Sequence, residues 1–188
     1  MVSVYIDTRY DASTDFTWTA YGSWGIANAS GLTQNSGVYV SGFETPVSGK
    51  PSSGSATFNG FIEGAAFVPN GTALLTARLN GSAQLVVNWS TGAITGSASG
   101  ITATPFPLGS ATAQAWNGLS FSGNITSGTT AFSGSTAVTG APGTFFALPA
   151  GTSGSLNGQF FGLTAQEVGA IWSVHNGTSG ASGYLVGK

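Results

Sequence analysis

Ala56-Thr57-Phe58-Asn59-Gly60-Phe61-Ile62 is a strand written in residue types. Ala56, Phe58, Gly60 and Ile62 fall on one side of an extended chain, and Thr57, Asn59 and Phe61 on the other, because successive side chains of a strand point to opposite faces. The same period recurs on both sides of this stretch. Val2, Val4 and Ile6 alternate with Ser3, Tyr5 and Asp7, and Phe16, Trp18 and Ala20 with Thr17, Thr19 and Tyr21. Further on, Leu85 and Val87 alternate with Val86 and Asn88. Turn signals punctuate the runs at Asn35-Ser36-Gly37, Asn70-Gly71, Asn80-Gly81, Thr91-Gly92, Asn117-Gly118 and Asn176-Gly177. Asn and Gly tolerate the positive φ that tight hairpins need. Strands are expected near 2–7, 15–24, 37–43, 55–67, 74–79, 82–89, 93–99, 111–122, 130–138, 155–161, 169–175 and 183–187. Short strands at this spacing define an all-β sandwich or barrel.

Glycines decide between those two. Gly22, Gly60, Gly64, Gly96, Gly123 and Gly134 lie inside the expected strands. Gly weakens a strand and recurs where a sheet bends sharply or another backbone comes close. Gly also follows Phe by two residues at Phe58/Gly60, Phe121/Gly123 and Phe132/Gly134. That spacing puts an aromatic on the inner face and relieves crowding beside it, as a small, strongly coiled barrel requires. Compositional bias accounts for the same spacing, since 30 of 188 residues are Gly. Pro105-Phe106-Pro107 marks a long connection. One closed barrel is expected rather than two subdomains, because neither half has enough strands for its own core.

Composition removes whole classes of function. Only 5% of residues are charged, against about 25% in an average soluble protein. Arg9, Lys50, Arg78 and Lys188 are too few and too scattered to neutralise a row of phosphates, which excludes nucleic acid. With 41% hydrophobic and 12% aromatic residues the chain is not of disordered type. There is no Cys, so no disulfide and no thiolate metal site, and a single His makes a structural zinc unexpected. Met1-Val2-Ser3-Val4-Tyr5 has neither the basic start nor the apolar run of a secretory leader. No apolar stretch approaches the ~18–20 residues of a membrane helix. Outward positions rich in Ser, Thr and Gly suit water better than lipid, which argues against a membrane-spanning barrel. Low charge with abundant Gly, Ser, Thr and Asn favours a trimmed, exported protein over a cytosolic one.

The segment Gly158-Gln159-Phe160-Phe161-Gly162-Leu163-Thr164-Ala165-Gln166-Glu167-Val168-Gly169-Ala170 carries the one helical signal. Thr164 as N-cap and Glu167 three residues on fit a capping box, and Gly169 would supply the left-handed residue that stops the turn. The same segment resembles the Gly-x-Phe-Tyr-Gly-Pro-x-Ala-x-Glu-x-Gly-Gly signature of the transferrin-binding protein B β-barrel family. That superfamily also holds factor H binding protein and haem-binding surface or secreted proteins of Gram-negative bacteria. Ser53-Gly54-Ser55-Ala56-Thr57-Phe58-Asn59-Gly60 is similar to the family's Gly-x-Ala-x-Tyr-x-Gly strand. Tyr21-Gly22-Ser23-Trp24 is similar to its Tyr-x-x-Phe-Gly-x-Trp segment, and Leu85-Val86-Val87-Asn88-Trp89 through Gly96 to the strand-turn-strand that follows. The patches come in the family's order. Leu163 stands for Pro, Phe161 for Tyr and Ala170 for the second Gly, and the lipidated N-terminal Cys is missing.

The resemblance implies an eight-stranded antiparallel barrel over 51–188, with 1–50 as preceding handle strands of the same domain. Beside it, the motif has a physical sense: Phe160 or Phe161 plugs the barrel, Thr164 caps one turn with Gly162 and Glu167 in the same motif, and Gly169 resets the chain into the last hairpin. The resemblance also implies a non-catalytic protein at the surface of a Gram-negative bacterium, or secreted from it, whose ligand is a host protein or haem. A structural or adhesive module that self-assembles is the alternative, suited to a surface of so little charge.

Candidate ligand-binding residues follow from chemistry. His175 is the only imidazole and would be an axial ligand if haem binds; the plain alternative is a strand-end histidine. Tyr5, Tyr10, Trp18, Tyr21, Trp24 and Tyr39 crowd the first forty residues. Among them Tyr10 and Tyr39 lie near turns and are the binding candidates, while Trp18 reads as core. Asp7, Asp11 and Asp15 have the wrong spacing for a calcium loop. Glu44 and Glu63 lack the flanks of a glycosidase pair, and no Ser sits in a nucleophile elbow. No catalytic or metal-ligating residue is assigned.

Overall fold

The computed structural model of the chain describes residues 3–8, 16–30, 33–106 and 112–188. They form strands β1 (Ser3–Thr8), β2 (Thr19–Ala27), β3 (Thr33–Gly42), β4 (Ser55–Asn70), β5 (Ala73–Asn88) and β6 (Ala93–Phe106). These are followed by β7 (Gln114–Ala115), β8 (Gly118–Ile125), β9 (Ala131–Thr139), β10 (Ser153–Phe161), β11 (Glu167–Asn176) and β12 (Ser179–Gly187). The helix among the described residues is one 3₁₀ turn, Val47–Gly49, and none is long and apolar enough to cross a membrane.

β4, β5, β6, β8, β9, β10, β11 and β12 pair antiparallel in that order, and β12 returns to pair with β4. The result is the expected closed eight-stranded barrel, an up-and-down meander without open edges. β7 adds two residues alongside β6. β1, β2 and β3 form a separate antiparallel sheet before the barrel, called the handle below.

The alternation read from the sequence sorts inside from outside. Phe58, Ile62 and Ala66 of β4 point inward, as do Leu85 and Val87 of β5 and Leu156 and Phe160 of β10. Phe160 is fully buried, with its ring centroid 4.9 Å from Trp89, 5.3 Å from Phe132 and 5.7 Å from Phe58. Trp116, Trp172, Phe146 and Leu148 fill the other end. A barrel of eight strands is just wide enough to be filled by its own side chains, and this one is.

Inward glycines are what let the walls approach. Gly60 faces Gly187, Gly64 faces Gly183, and Gly123 faces Gly134 across neighbouring strands. A Cβ on Gly60 would overlap the Val186 carbonyl oxygen, and one on Gly134 the Ser122 carbonyl oxygen. The Phe-x-Gly spacing therefore reflects close backbone contact and not composition alone.

Four local expectations are corrected. Asn35-Ser36-Gly37 is not a turn: the three residues lie inside β3, opposite Ile26, Gly25 and Trp24 of β2. Asn80-Gly81 is not a hairpin: 74–79 and 82–89 belong to one strand, with a register shift against β6 between Asn80 and Ser82. Gly81 is there because a Cβ would press on Ile101 Cγ1 at 2.7 Å. Asn117-Gly118 is not a hairpin either. Asn117 is buried, its Nδ2 donates to the carbonyls of Gly140 (2.7 Å) and Leu148 (2.9 Å), and its Oδ1 accepts from Leu148 N–H (2.7 Å). Finally, 162–166 is a turn and not a helix. Thr164 N–H donates to Gln166 Oε1 (2.8 Å), while Gly169 is an extended residue of β11 and the left-handed conformation belongs to Gly162 and Ala165.

The handle accounts for the failed capping box. Glu167 is buried and accepts the N–H of Thr17 at 2.7 Å and of Trp18 at 3.0 Å, where the chain enters β2. A carboxylate with two backbone donors has no reason to turn back on its own segment. Along this seam Tyr21, Val38 and Val40 pack on Tyr184, Val186 and Phe61, the outward residues of β12 and β4. Gly169 faces Val40 so closely that a Cβ would overlap Val40 Cγ1.

Candidate binding surface

Because the barrel interior is filled, any ligand must be met on the outside. The barrel has two ends. The near end carries the β10–β11 turn and the strap 43–50 that crosses it. The far end carries the β4–β5 and β11–β12 turns and the connections after β6 and β9.

β4 and β5 are sixteen residues each and overshoot their neighbours at the far end. The overshoot exposes Leu74 and Leu75, opposite Pro69 and Val68. Phe106 ends β6 opposite Thr76, whose hydroxyl donates to the Phe106 carbonyl at 3.2 Å, and Phe106 is 62% exposed. Phe145 adds a fourth exposed apolar side chain, edge-on to buried Phe146 at 5.2 Å. Leu74 shares the outward face of β5 with Thr76 and so lies beside Phe106, and neighbouring exposed apolar side chains mark interaction sites.

Phe106 also borders a cleft of about 610 Å³ between the handle and the outer wall of the barrel. Its lining includes Ser23, Ser36 and Val38 from the handle, and Glu63, Arg78 and Tyr184 from the barrel. Tyr184 O–H donates to Glu63 Oε2 at 2.6 Å and Asn80 Nδ2 to Glu63 Oε1 at 3.2 Å, which fixes the carboxylate against the wall. Cleft and apolar rim thus form one continuous surface carrying an aromatic, aliphatics and an arginine, residue types that anchor protein interfaces. A second, smaller apolar group lies at the near end: Phe43, Val47 and Leu163 are about half exposed, with the Trp18 ring tilted 50° to that of Phe43 at 5.6 Å between centroids.

The sequence-chosen residues scatter over this framework. His175 is exposed at the end of β11, opposite Ser153 and Gly180, at the far end. Tyr39 is half-buried in β3, between Val38 and Val40, which face the barrel, so it lies on the opposite face of the handle. Neither lines the cleft. Tyr10, Asp11 and Asp15 lie outside the described residues. Phe160 is inside the barrel and Phe161 outside, buried beneath the handle and paired with Glu44. Trp18 is only half-buried and belongs to the near-end surface rather than a core. Leu74, Leu75, Phe106 and Phe145 were not among the sequence candidates. Their signal was the doubled Leu74-Leu75, which breaks the alternation, and Phe106 held between two prolines.

The chain is thus a filled, closed barrel with a sheet docked on its flank. No protein-family model and no curated protein matches the chain. Solved structures do. Transferrin-binding protein B isotype 1 from serogroup B Neisseria meningitidis aligns with a TM-score of 0.60 and 18% identity over 98% of this chain and 33% of that one. The N-lobe of lactoferrin-binding protein B of Moraxella bovis aligns with a TM-score of 0.57 and 13% identity, covering 99% and 79%. HpuA from Kingella denitrificans, solved with human haemoglobin, aligns with a TM-score of 0.50 and 16% identity, covering 92% and 55%. The chain has the fold of these handle-and-barrel lobes across nearly its whole length. It spans about a third of the intact transferrin-binding proteins it matches.

Proposed function

We propose that this chain is a recognition domain of a Gram-negative surface or secreted protein, and that it takes a host protein on its far end. The observation that carries the reading is the continuity of Leu74, Phe106 and the Arg78-bearing cleft. Aromatic and arginine anchors of this kind contribute most of the energy at protein interfaces. The likeness to proteins named for binding transferrin and lactoferrin, and to HpuA solved in complex with human haemoglobin, supports a protein ligand of that class. The test is surface plasmon resonance of the immobilised chain against transferrin, lactoferrin and haemoglobin. Binding to one of them, weakened at least about tenfold in Phe106→Ser, is expected. Binding to none, or binding indifferent to Phe106 and Leu74, sinks the reading. Haemin belongs in the same series, since His175 is exposed at the same end: a Soret shift lost in His175→Ala would move the ligand from protein to haem.

A self-assembling adhesive module is favoured by one feature. No charged side chain occurs from Leu79 to Gln166, so most of the barrel wall offers no charge repulsion to a second copy. Sedimentation that stays monomeric across a wide concentration range removes this alternative.

A further inference from the structure

Six Asn-Gly pairs occur in the chain, at Asn59, Asn70, Asn80, Asn117, Asn157 and Asn176, and the structure divides them sharply. Asn59, Asn80 and Asn157 lie inside strands, Asn59 opposite Gln84 with its Oδ1 accepting from Gln84 Nε2, Asn157 between Ser133 and Ile171, and Asn80 with its amide donated to Glu63. Asn117 is buried with its amide in three hydrogen bonds. Asn70 and Asn176 differ in every respect. Both are exposed, and both end a strand at a two-residue turn, Gly71-Thr72 and Gly177-Thr178. Positive φ at the first turn residue only, +62° at Gly71 and +84° at Gly177, makes both type II′. Neither glycine N–H donates to a backbone carbonyl, and the space where a Cβ would stand at each is open. β12 and β4 are neighbours, so the two Asn-Gly-Thr turns stand on adjacent hairpins at the far end.

We infer that Asn70 and Asn176 are sites of spontaneous deamidation, and that the folded barrel directs this modification to them. The free Gly71 nitrogen, giving its proton to a solvent base, bonds to Asn70 Cγ. The Cγ–Nδ2 bond breaks, and ammonia leaves with a proton from solvent. Water then opens the cyclic imide at either carbonyl to give aspartate or isoaspartate. Gly177 and Asn176 react in the same way. The overall change is asparagine plus water to aspartate plus ammonia, and no enzyme or cofactor is needed. At Asn59, Asn80, Asn117 and Asn157 the reaction must wait for strands to open, because ladder pairing or burial fixes the groups that would have to meet. Each event places one negative charge on an end that the sequence leaves nearly uncharged, and the two together take the formal net charge from −2 to −4. Leu74 lies four residues beyond Asn70 and His175 directly precedes Asn176. On the function proposed above, ligand affinity would then decline with the age of the molecule; the modification itself does not depend on that reading.

The full chain, incubated folded in mildly alkaline buffer, is digested and mapped by mass spectrometry, with isoaspartyl methyltransferase labelling as a second readout. Peptides holding Asn70 and Asn176 are expected to gain about one mass unit each, with an acidic shift on isoelectric focusing. Asn59, Asn80, Asn117 and Asn157 should react more than about tenfold more slowly, and the difference should collapse in denaturant. The double variant Asn70→Ser, Asn176→Ser should abolish the acidic shift. Equal rates at all six sites in the folded chain, faster reaction at Asn117 than at Asn70, or an acidic shift that survives the double variant would overturn the inference.

Discussion

The barrel wall beneath the handle and the wall facing away from it share one interior and have opposite exteriors. Under the handle the outward residues are Phe61, Phe161, Tyr184 and Val186, with Gly169 leaving room for Val40. On the uncovered side the outward residues are hydroxyls and amides: Thr95, Ser97 and Ser99 on β6, Ser120 and Ser122 on β8, Ser133 and Ser135 on β9, Ser155 and Asn157 on β10. The inner face makes a barrel in either case. The outer face states whether a second layer covers it, and the contrast implies that barrel closure and handle docking are energetically separable.

The largest effect tests the interior that both walls share. Phe160 packs against Trp89, Phe132 and Phe58 with no exposed surface. Phe160→Ala should cost about 3–5 kcal/mol, since the surrounding rings can close the cavity only in part. Chemical denaturation followed by tryptophan fluorescence would measure it. A loss below about 1 kcal/mol would mean that the plug is not what holds the walls together.

Gly169→Val should separate the walls' fates. The added side chain is compatible with an extended strand but collides with Val40 Cγ1, and its Cβ would lie 3.2 Å from Phe161 Cε2. Overpacking of this kind costs about 1–3 kcal/mol. Here the handle is expected to give way, so proteolysis should cut near β2 and β3 while amide exchange in β8–β10 stays slow. Protection lost equally in both regions would show that the layers fold as one unit.

Glu167→Gln sharpens the same comparison with less force. The carboxylate holds the amides of Thr17 and Trp18, and a charged acceptor contributes about 1.5–3 kcal/mol per hydrogen bond. The glutamine retains one acceptor oxygen and turns an NH₂ toward the second donor. A handle-specific loss of about 1–2 kcal/mol is expected, read as faster exchange at Thr17 and Trp18 with an unchanged barrel.

How far the sequence shows this contrast depends on distance along the chain. Alternation and turn chemistry are local, so the strands, the closed barrel and the inward Phe and Gly positions were legible. Tyr184-Leu185-Val186 even announces a strand covered on both faces, because no polar residue interrupts it. Glu167 was misread because its partners lie about 150 residues away and a nearby capping pattern competes for the same side chain. Asn117 was misread for the same reason: an Asn-Gly pair looks like a turn until a loop some 30 residues on supplies its hydrogen bonds. The far-end surface was the least legible part. Leu74 and Phe106 are exposed only because β4 and β5 outrun the barrel, and strand length relative to neighbours is not written in any one segment.

The smallest effect belongs to the uncovered wall. Ser122 and Ser135 face each other across β8 and β9 with their hydroxyls 2.9 Å apart, and Ser155 and Ser173 do the same across β10 and β11 at 3.0 Å. Both pairs are open to solvent, so each hydroxyl exchanges its partner for water at little cost, and a cross-strand pair contributes only about 0.2–1 kcal/mol. The double variant Ser122→Ala, Ser135→Ala should shift the unfolding free energy by less than about 0.5 kcal/mol. It should still lower solubility, because two hydroxyls leave a face with no charge to replace them. Static light scattering against concentration, compared with a Ser-to-Ala change at the handle's Ser23, reads that difference. If the wall variant loses stability but not solubility, the hydroxyl ladder is a structural seam, and the exteriors differ less in kind than their residues indicate.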